Sequence, residues 1–237
     1  MNNYNINNYY SNAYDTQSLD AHVSKVMKNV YVRMFLGLLV TALAAWIVPT
    51  IPAVASIAMS KGGYLVLAII EIGLVLWISA GINKMSSSTA TLLFFLFALV
   101  NGTTLSIIFM AFSPESILKT FLITAGTFGA MSIYGYFTNK DLTRVGSFLM
   151  MALFGLIICS IVNIFWGNNT MSWIISIVGV LIFIGLTAWD TQKIKQMAMQ
   201  MPGATDSRLS TIGALTLYLD FINLFLYLLR FFGSSRD

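Results

Sequence analysis

The stretch ALTLYLDFINLFLYLLRFFG, residues 214–233, decides the fold, because it is apolar enough to lie in lipid and yet carries Asp220 near its middle. A helix that begins near Thr211 would place Asp220 roughly 14 Å along its axis, close to the midplane of a hydrocarbon core about 30 Å thick. A carboxylate facing lipid at that depth is costly, so we expect Asp220 to face a bundle interior or a water-filled cavity. Asp220 is therefore the first candidate functional residue.

The polar residues of this stretch share one helical face. They follow one another at spacings of four, three and four residues, and they are Thr216, Asp220, Asn223 and Tyr227. Residues at these spacings are neighbours on a helix surface, and leucine and phenylalanine cover most of the remainder. The pattern predicts a membrane-spanning helix with one polar seam.

The composition extends this interpretation to the whole chain. Of 237 residues, 57% are hydrophobic and 9% are charged, whereas charged residues make up about a quarter of an ordinary soluble domain. The chain is therefore expected to be a polytopic membrane protein. Its net charge of +4 comes from basic residues scattered singly through short connections, so no nucleic-acid partner is expected.

Cysteine and histidine are nearly absent. Cys159 lies in an apolar run and His22 is the one histidine, so the sequence predicts no disulfide framework, no zinc site, no histidine-based catalysis and no cofactor. The first 30 residues lack the apolar core of a signal peptide. We therefore expect a multi-pass protein of a prokaryotic cytoplasmic membrane rather than of an organelle.

The chain divides into a polar tail and one membrane domain. Residues 1–29 are predicted to be a disordered cytoplasmic tail that ends in an amphipathic approach around Val23, Val26 and Val30, and residues 30–237 form the domain. Seven apolar segments long enough to span a bilayer are predicted at 32–48, 63–82, 90–112, 116–137, 145–166, 172–189 and 211–232. The four prolines fall in the connections, and the predicted fold is an all-α bundle of seven transmembrane helices.

Basic residues predict the orientation. Nine lysines and arginines fall on the side of the amino terminus and four on the opposite side, which places the amino terminus in the cytoplasm. Seven spans would then place the carboxyl terminus outside. If the last segment enters the membrane and returns, both ends would be cytoplasmic.

Three acidic residues fall at membrane depth, and each has a functional and a structural interpretation. Glu71 lies midway in the second predicted span, Asp190 ends the sixth, and Asp220 lies inside the seventh. Such groups need partners, protons or a cation, because water is not freely available there. The structural interpretations pair Asp190 with Lys193 at the surface and tie Asp220 to a packing partner such as Arg230.

For Glu71 the structural interpretation is a protonated side chain hydrogen-bonded to Asn101, Thr103 or Thr104 in the third span. Two carboxyl groups that meet in a low-dielectric cavity cannot both ionise cheaply, so a close pair would titrate as a unit and act as a proton sensor. The same pair would attract calcium, which binds six to eight oxygen ligands. Oxygens of the following residues could complete the coordination: Thr187, Thr191 and Asn223.

Residues 214–233 closely resemble the carboxyl-terminal signature of the Bax-inhibitor, or lifeguard, family of membrane proteins. The segment AWDTQKIKQM at 188–197 is similar to the family's segment that ends the sixth helix. The likeness extends to IIEIGLVL at 69–76 and LVNGTTLS at 99–106, so it covers the chain beyond the tail.

This resemblance implies a seven-helix bundle in which the last helix is central and surrounded by the other six. It also implies a pH-sensitive calcium leak, in which Asp190 and Asp220 form a hydrogen-bonded pair near the cytoplasmic side. Family members can carry a basic latch at the cytoplasmic end of the second helix, where the first basic residue of this chain is Lys84. Lysine lacks the bidentate geometry of arginine, and Trp189 replaces a more common tyrosine beside Asp190.

The leading functional hypothesis is a pH-sensitive calcium leak channel with Asp190 and Asp220 as proton sensor and ion site. The hypothesis adds a possible latch at Lys84 and pore-lining residues Glu71, Asn101 and Asn223. Its partners are the lipid bilayer and calcium. The alternative is an interaction protein that regulates a membrane protease, a cell-death factor or a transporter, with structural acids. Intramembrane hydrolysis, which paired aspartates would suit, is disfavoured because neither aspartate lies in a Gly-x-Gly-Asp context, so no enzyme is predicted.

Overall fold

The computed structural model describes residues 3–58, 60–82, 84–200 and 206–234, with side chains described from residue 18 onward except at 61 and 206. Within these ranges the chain is helical and contains no strand. A short 3₁₀ helix at Val48–Thr50 follows the first α-helix. The α-helices are α1 (Asn3–Ile47), α2 (Pro52–Ala58), α3 (Lys61–Gly81), α4 (Ser87–Leu105), α5 (Ile108–Ala111), α6 (Pro114–Phe137), α7 (Thr143–Trp166), α8 (Asn169–Gln200) and α9 (Asp206–Phe232).

Seven helical segments of the described chain are long and apolar enough to cross a membrane, which confirms the predicted all-α bundle of seven spans. They are Ser18–Thr50, Gly62–Gly81, Ser87–Ala111, Pro114–Phe137, Thr143–Trp166, Asn169–Gln200 and Ser207–Phe232. The last span belongs to a continuous helix of 27 residues, about 40 Å long, which is enough to cross the hydrocarbon core completely.

Local sequence signals set the ends of several spans. The hydroxyls of Ser60, Ser86 and Ser113 each accept a hydrogen bond from a backbone N–H three residues later, so each serine caps the helix that follows it. Helix α4, which Ser86 caps, ends near residue 106, so the third span consists of α4 and the short α5. Gly167 ends α7 with a φ of 59°, a left-handed conformation that glycine adopts without strain.

The last helix, α9, is the centre of the bundle, as predicted. Two thirds of its span, 67%, is buried inside the protein, against 6% for α7. Helices α1, α4, α6 and α8 pack directly around α9, whereas α3 packs mainly on α4 and α7 mainly on α8. The arrangement therefore has an inner group of five helices and two outer helices, rather than a uniform ring of six.

Two boundaries differ from the sequence prediction. Helix α1 runs through much of the segment 1–29 that was predicted as a disordered tail, and Val23, Val26 and Met27 are at most 3% exposed. The amphipathic approach is thus an early part of the first spanning helix, because its valines pack into the core. Helix α8 continues to Gln200, well beyond the predicted end at residue 189, because Ile194 and Ala198 are also buried.

Candidate functional site

Asp190 of α8 and Asp220 of α9 meet in the interior of the helix bundle. Their side chains are 6% and 4% exposed, and the two carboxyl groups lie close enough to interact directly. A hydrogen bond between two carboxyl groups requires a proton on one of them, because an ionised carboxylate only accepts. The two carboxyl groups are therefore close enough to share one proton.

The pair lies at a cavity of about 390 Å³ bounded by α7, α8 and α9. All four residues of the polar seam predicted on the last helix line this cavity, so the seam does face the interior. The lining residues are Met150, Leu153 and Ile157 of α7, Phe183, Leu186, Trp189, Asp190 and Lys193 of α8, and Thr216, Leu219, Asp220, Asn223 and Tyr227 of α9. The cavity is thus apolar on the α7 side and polar along α9.

One oxygen of the pair is unsatisfied. Asp220 Oδ2 is buried and has no hydrogen-bond partner within the described chain. Leaving a buried acceptor unpaired costs about 1–3 kcal/mol, so natural proteins usually satisfy such an atom with a donor, an ordered water or an ion. Asp220 Oδ2 is therefore the atom at which a proton, a water or a cation would bind.

The basic side chain at this cavity is Lys193, and the predicted latch Lys84 lies elsewhere. Lys84 is exposed in the connection between α3 and α4 and is not among the described residues that line the cavity. Lys193 lines it, and its positive charge acts on the Asp190 carboxyl three residues earlier. The spacing of three residues on one helix face was visible in the sequence, where it was interpreted as a surface pair.

Trp189 connects this lysine to α7. The Lys193 Nζ atom lies 4.8 Å from the centroid of the Trp189 ring, at cation–π distance. The indole packs directly on Gly146, where a Cβ atom would come within 2.1 Å of the ring. Glycine at this position lets α7 approach α8 closely, and this approach fixes the tryptophan beside Asp190.

The connection before α7 also holds α8 in position. The Leu142 N–H donates to Gln192 Oε1 at 2.9 Å, and Gln192 Nε2 donates to the Lys140 carbonyl oxygen at 2.8 Å. Gln192 follows Asp190 by two residues, so these bonds fix the register of α8 at the carboxyl pair. In the same connection, Asp141 accepts from the hydroxyl and backbone N–H of Thr143, which lowers the pKa of this exposed carboxyl.

Glu71 lies apart from the pair and has the partners of its structural interpretation. Glu71 Oε2 accepts from Asn101 Nδ2 at 3.0 Å, and Oε1 accepts from the Thr104 hydroxyl at 2.5 Å. Neither Glu71 nor Asn101 is among the described residues lining the 390 Å³ cavity. Asn223 does line this cavity, whereas the pore-lining role of Glu71 and Asn101 stays a prediction.

Asn101 continues into a second polar system that the sequence analysis missed. Its Oδ1 atom accepts from the Tyr218 hydroxyl at 2.9 Å, and that hydroxyl lies 2.6 Å from Thr41 Oγ1. The chain of contacts joins α3, α4, α9 and α1. Tyr218 is fully buried two residues before Asp220, a spacing that places it on a different face of α9.

The oxygen atoms suggested for a calcium site are only partly at the cavity. Thr187 donates to the Phe183 carbonyl oxygen at 2.7 Å, and Thr191 is fully buried on a part of α8 that does not line the cavity. Asn223 lines it and donates its amide nitrogen to the Leu219 carbonyl oxygen at 2.8 Å, so its side-chain oxygen is suited to a cation. No group of three or more His, Cys, Asp and Glu side chains lies together in the described ranges.

Arg33 of α1 holds the beginning of α9. Its guanidinium donates to the carbonyl and, at 2.7 Å, to the hydroxyl of Ser207, and it also donates to the Thr211 hydroxyl. Arg230, which was considered as a packing partner of Asp220, is exposed near the other end of α9, ten residues beyond Asp220. The hydrogen bonds of Arg33 thus tie the central helix to α1 at the end of the bundle where most basic residues lie.

Comparisons with known proteins agree with this architecture. The sequence profile of the family described as "Inhibitor of apoptosis-promoting Bax1" matches residues 23–237. Inner membrane protein YbhL of Escherichia coli K12 is 45% identical over 220 residues, covering 91% of this chain and 94% of YbhL. An uncharacterized protein of Borreliella burgdorferi is 46% identical over 217 residues, covering 90% of this chain and 94% of that protein. The chain therefore belongs to the Bax-inhibitor family of membrane proteins.

Proposed function

We propose that this protein is a proton-gated leak for calcium across the cell membrane, with Asp190 and Asp220 as both proton sensor and ion site. The observation that carries the proposal is the contact between these carboxyl groups at a cavity inside the membrane-spanning bundle. Two carboxyl groups in contact at low dielectric hold one proton readily, because burial and mutual repulsion both oppose a second negative charge.

Proton and cation would compete for the same atoms. When the shared proton leaves, the pair presents two carboxylates, and the cavity adds neutral oxygens from Thr216, Asn223 and Tyr227. Calcium prefers such hard oxygen ligands, and its affinity rises with the number of charged ligands. A site with only two carboxylates and otherwise neutral oxygens binds calcium moderately, so the ion can also leave it. Passage through a channel requires both binding and release.

Lys193 takes the role that the sequence analysis gave to Lys84. Its charge lies on the Asp190 side of the cavity, where it competes with a cation for that carboxylate. Because Lys193 is exposed and lies over Trp189, its side chain can leave Asp190 without crossing packed protein. The basic latch in this chain is then on the same helix as the aspartate that it neutralises.

The expected orientation in the membrane supports a direction for the path through the cavity. With the amino terminus in the cytoplasm, as the excess of nine basic residues over four favours, Lys193 faces the cytoplasmic side. Tyr227, seven residues beyond Asp220 on α9, then faces the outer side. Calcium would enter past Tyr227 and Asn223, reach the carboxyl pair, and leave past Lys193.

Calcium entry into sealed liposomes that contain the purified protein tests the proposal. Wild type should load calcium faster than protein-free vesicles, and Asp190→Asn and Asp220→Asn should each reduce that rate at least tenfold. Asp141→Asn is the matched control, because Asp141 is exposed outside the spans. Equal loading of protein-free and wild-type vesicles at every pH would reject the leak and favour the alternative, an interaction protein with structural acids.

A further inference from the structure

A second cavity lies between α1 and α6. Helices α1 and α6 both flank α9, and the space between them measures about 600 Å³. It is lined by residues between 24 and 35 of α1 and between 128 and 137 of α6, and we refer to it as the α1–α6 groove. The groove shares no lining residue with the cavity at the carboxyl pair.

The walls of the α1–α6 groove open toward lipid. Phe35, Ile133 and Phe137 line it and are 63%, 62% and 71% exposed on membrane-spanning helices. Large apolar side chains exposed on a spanning helix face the hydrocarbon of the bilayer. Acyl chains, rather than bulk water, therefore have direct access to the groove from the side.

The inner part of the groove carries the hydroxyl groups of Tyr31 and Ser132. Ser132 is 5% exposed, and its hydroxyl lies beside that of Tyr31. Thr191 of α8, which does not line the groove, is a further neighbour of the Tyr31 hydroxyl. A hydroxyl has one donor hydrogen and two acceptor lone pairs, so neighbouring hydroxyls can bond to one another and still donate to an oxygen of a ligand.

The end of the groove nearest the amino terminus carries a positive charge. Lys28 lines it and is exposed three residues before Tyr31, on the same face of α1. From Ser24 to Phe35 the helix rises roughly 16 Å, close to half of the hydrocarbon core of about 30 Å. Along the groove, a cation is followed by hydroxyl donors and then by apolar walls within the depth of one leaflet.

We propose that the α1–α6 groove binds an anionic phospholipid from the leaflet on the side of the amino terminus. Lys28 would bind the phosphate, and the hydroxyls of Tyr31 and Ser132 would donate to the ester carbonyl oxygens. One acyl chain would then lie against Phe35 and Phe128. This order of contacts matches a phospholipid and does not depend on whether the protein conducts calcium.

Native mass spectrometry of the detergent-purified protein tests the proposal, with phosphatidylglycerol and phosphatidylcholine of identical chains as probes. Wild type should retain phosphatidylglycerol preferentially, and Lys28→Gln should reduce that preference about fivefold, the effect of one lysine near anionic lipid. Lys25→Gln is the matched control, because Lys25 is exposed on the same helix and does not line the groove. Ser132→Ala should weaken binding of both lipids, since both carry ester carbonyls.

Equal retention of the two lipids by wild type would overturn the anionic site. An equal loss of preference in Lys25→Gln and Lys28→Gln would show that general surface charge, rather than this groove, attracts the lipid. If Lys28→Gln does not fold, Ser132→Ala decides the matter, because unchanged retention of both lipids in that variant would contradict the groove as the binding site.

Discussion

Tyr218 and Asp220, two residues apart on α9, belong to two separate polar systems. The Tyr218 hydroxyl contacts Asn101 and Thr41 on the α1–α4 side, whereas the Asp220 carboxyl contacts Asp190 on the α8 side. The central helix therefore carries a structural network on one face and the carboxyl pair on another. Substitutions on the two faces should have different consequences, so stability and transport can be measured apart.

Tyr218→Phe should destabilise the protein without changing the pH dependence of calcium entry. Loss of the hydroxyl leaves Asn101 Oδ1 and Thr41 with one partner fewer in a buried site, at a cost of about 1–3 kcal/mol. Thermal unfolding in detergent measures this effect, and Tyr64→Phe, at a 46% exposed tyrosine, is the control. An unchanged melting temperature in Tyr218→Phe would show that the network contributes little.

Glu71→Gln should leave the pH midpoint of calcium entry where it is in wild type. Glu71 is bonded to Asn101 and Thr104 and does not line the described cavity of the carboxyl pair, so its proton should not control that cavity. The amide can still accept from one of these donors, so folding should largely persist. A displaced or abolished midpoint in this variant would support the prediction that Glu71 lines the pore.

Lys193→Gln should raise calcium entry, and Lys84→Gln should not. Removal of the charge at Lys193 removes a competitor of the cation at Asp190. We expect about threefold faster entry, because the charge of an exposed lysine contributes up to about 1 kcal/mol to such an interaction. Lys84 is the matched control, because it is the exposed basic residue after α3. The reverse result, with an effect at Lys84 alone, would support a latch on the second span.

Gly146→Ala should destabilise the protein, whereas Gly155→Ala on the same helix should be neutral or slightly stabilising. A Cβ at Gly146 would come within 2.1 Å of the Trp189 ring, while one at Gly155 would have no neighbour within 4 Å. Overpacking typically costs about 1–3 kcal/mol. Thermal unfolding compares the two variants, and equal behaviour would mean that α7 does not need this close approach to α8.

The sequence predicts the architecture well, because each span is a long apolar run and the four prolines lie outside the predicted runs. The sequence prediction ends α8 too early, because the segment DTQKIKQMAMQ appears polar. In the structure Ile194 and Ala198 of this segment are buried along one face. The polar seam on the last helix could be predicted from its spacing. The contact of Asp190 with Asp220 could be predicted only through the family resemblance, because nothing in the local sequence pairs residues on different helices.

Glu71 and Lys84 lie away from the carboxyl pair for a common physical reason. Glu71 was predicted to line a pore from its depth and Lys84 to be a latch from its position after the second helix, but the surroundings of a residue depend on the direction in which its helix faces. Glu71 faces α4, where Asn101 and Thr104 bind it. Lys193 was available at three residues from Asp190, and the helical extension of α8 beyond residue 189 is what brings it to the cavity.

The pH profile of calcium entry into liposomes, recorded between about pH 6 and 8, tests the central claim most directly. Wild type, Asp190→Asn and Asp220→Asn are compared at equal protein content. Because proton and calcium compete for the pair, wild-type entry should rise with pH through one midpoint, and both variants should be slow and independent of pH. A wild-type rate that does not change with pH, or a midpoint that persists in both variants, would contradict the account.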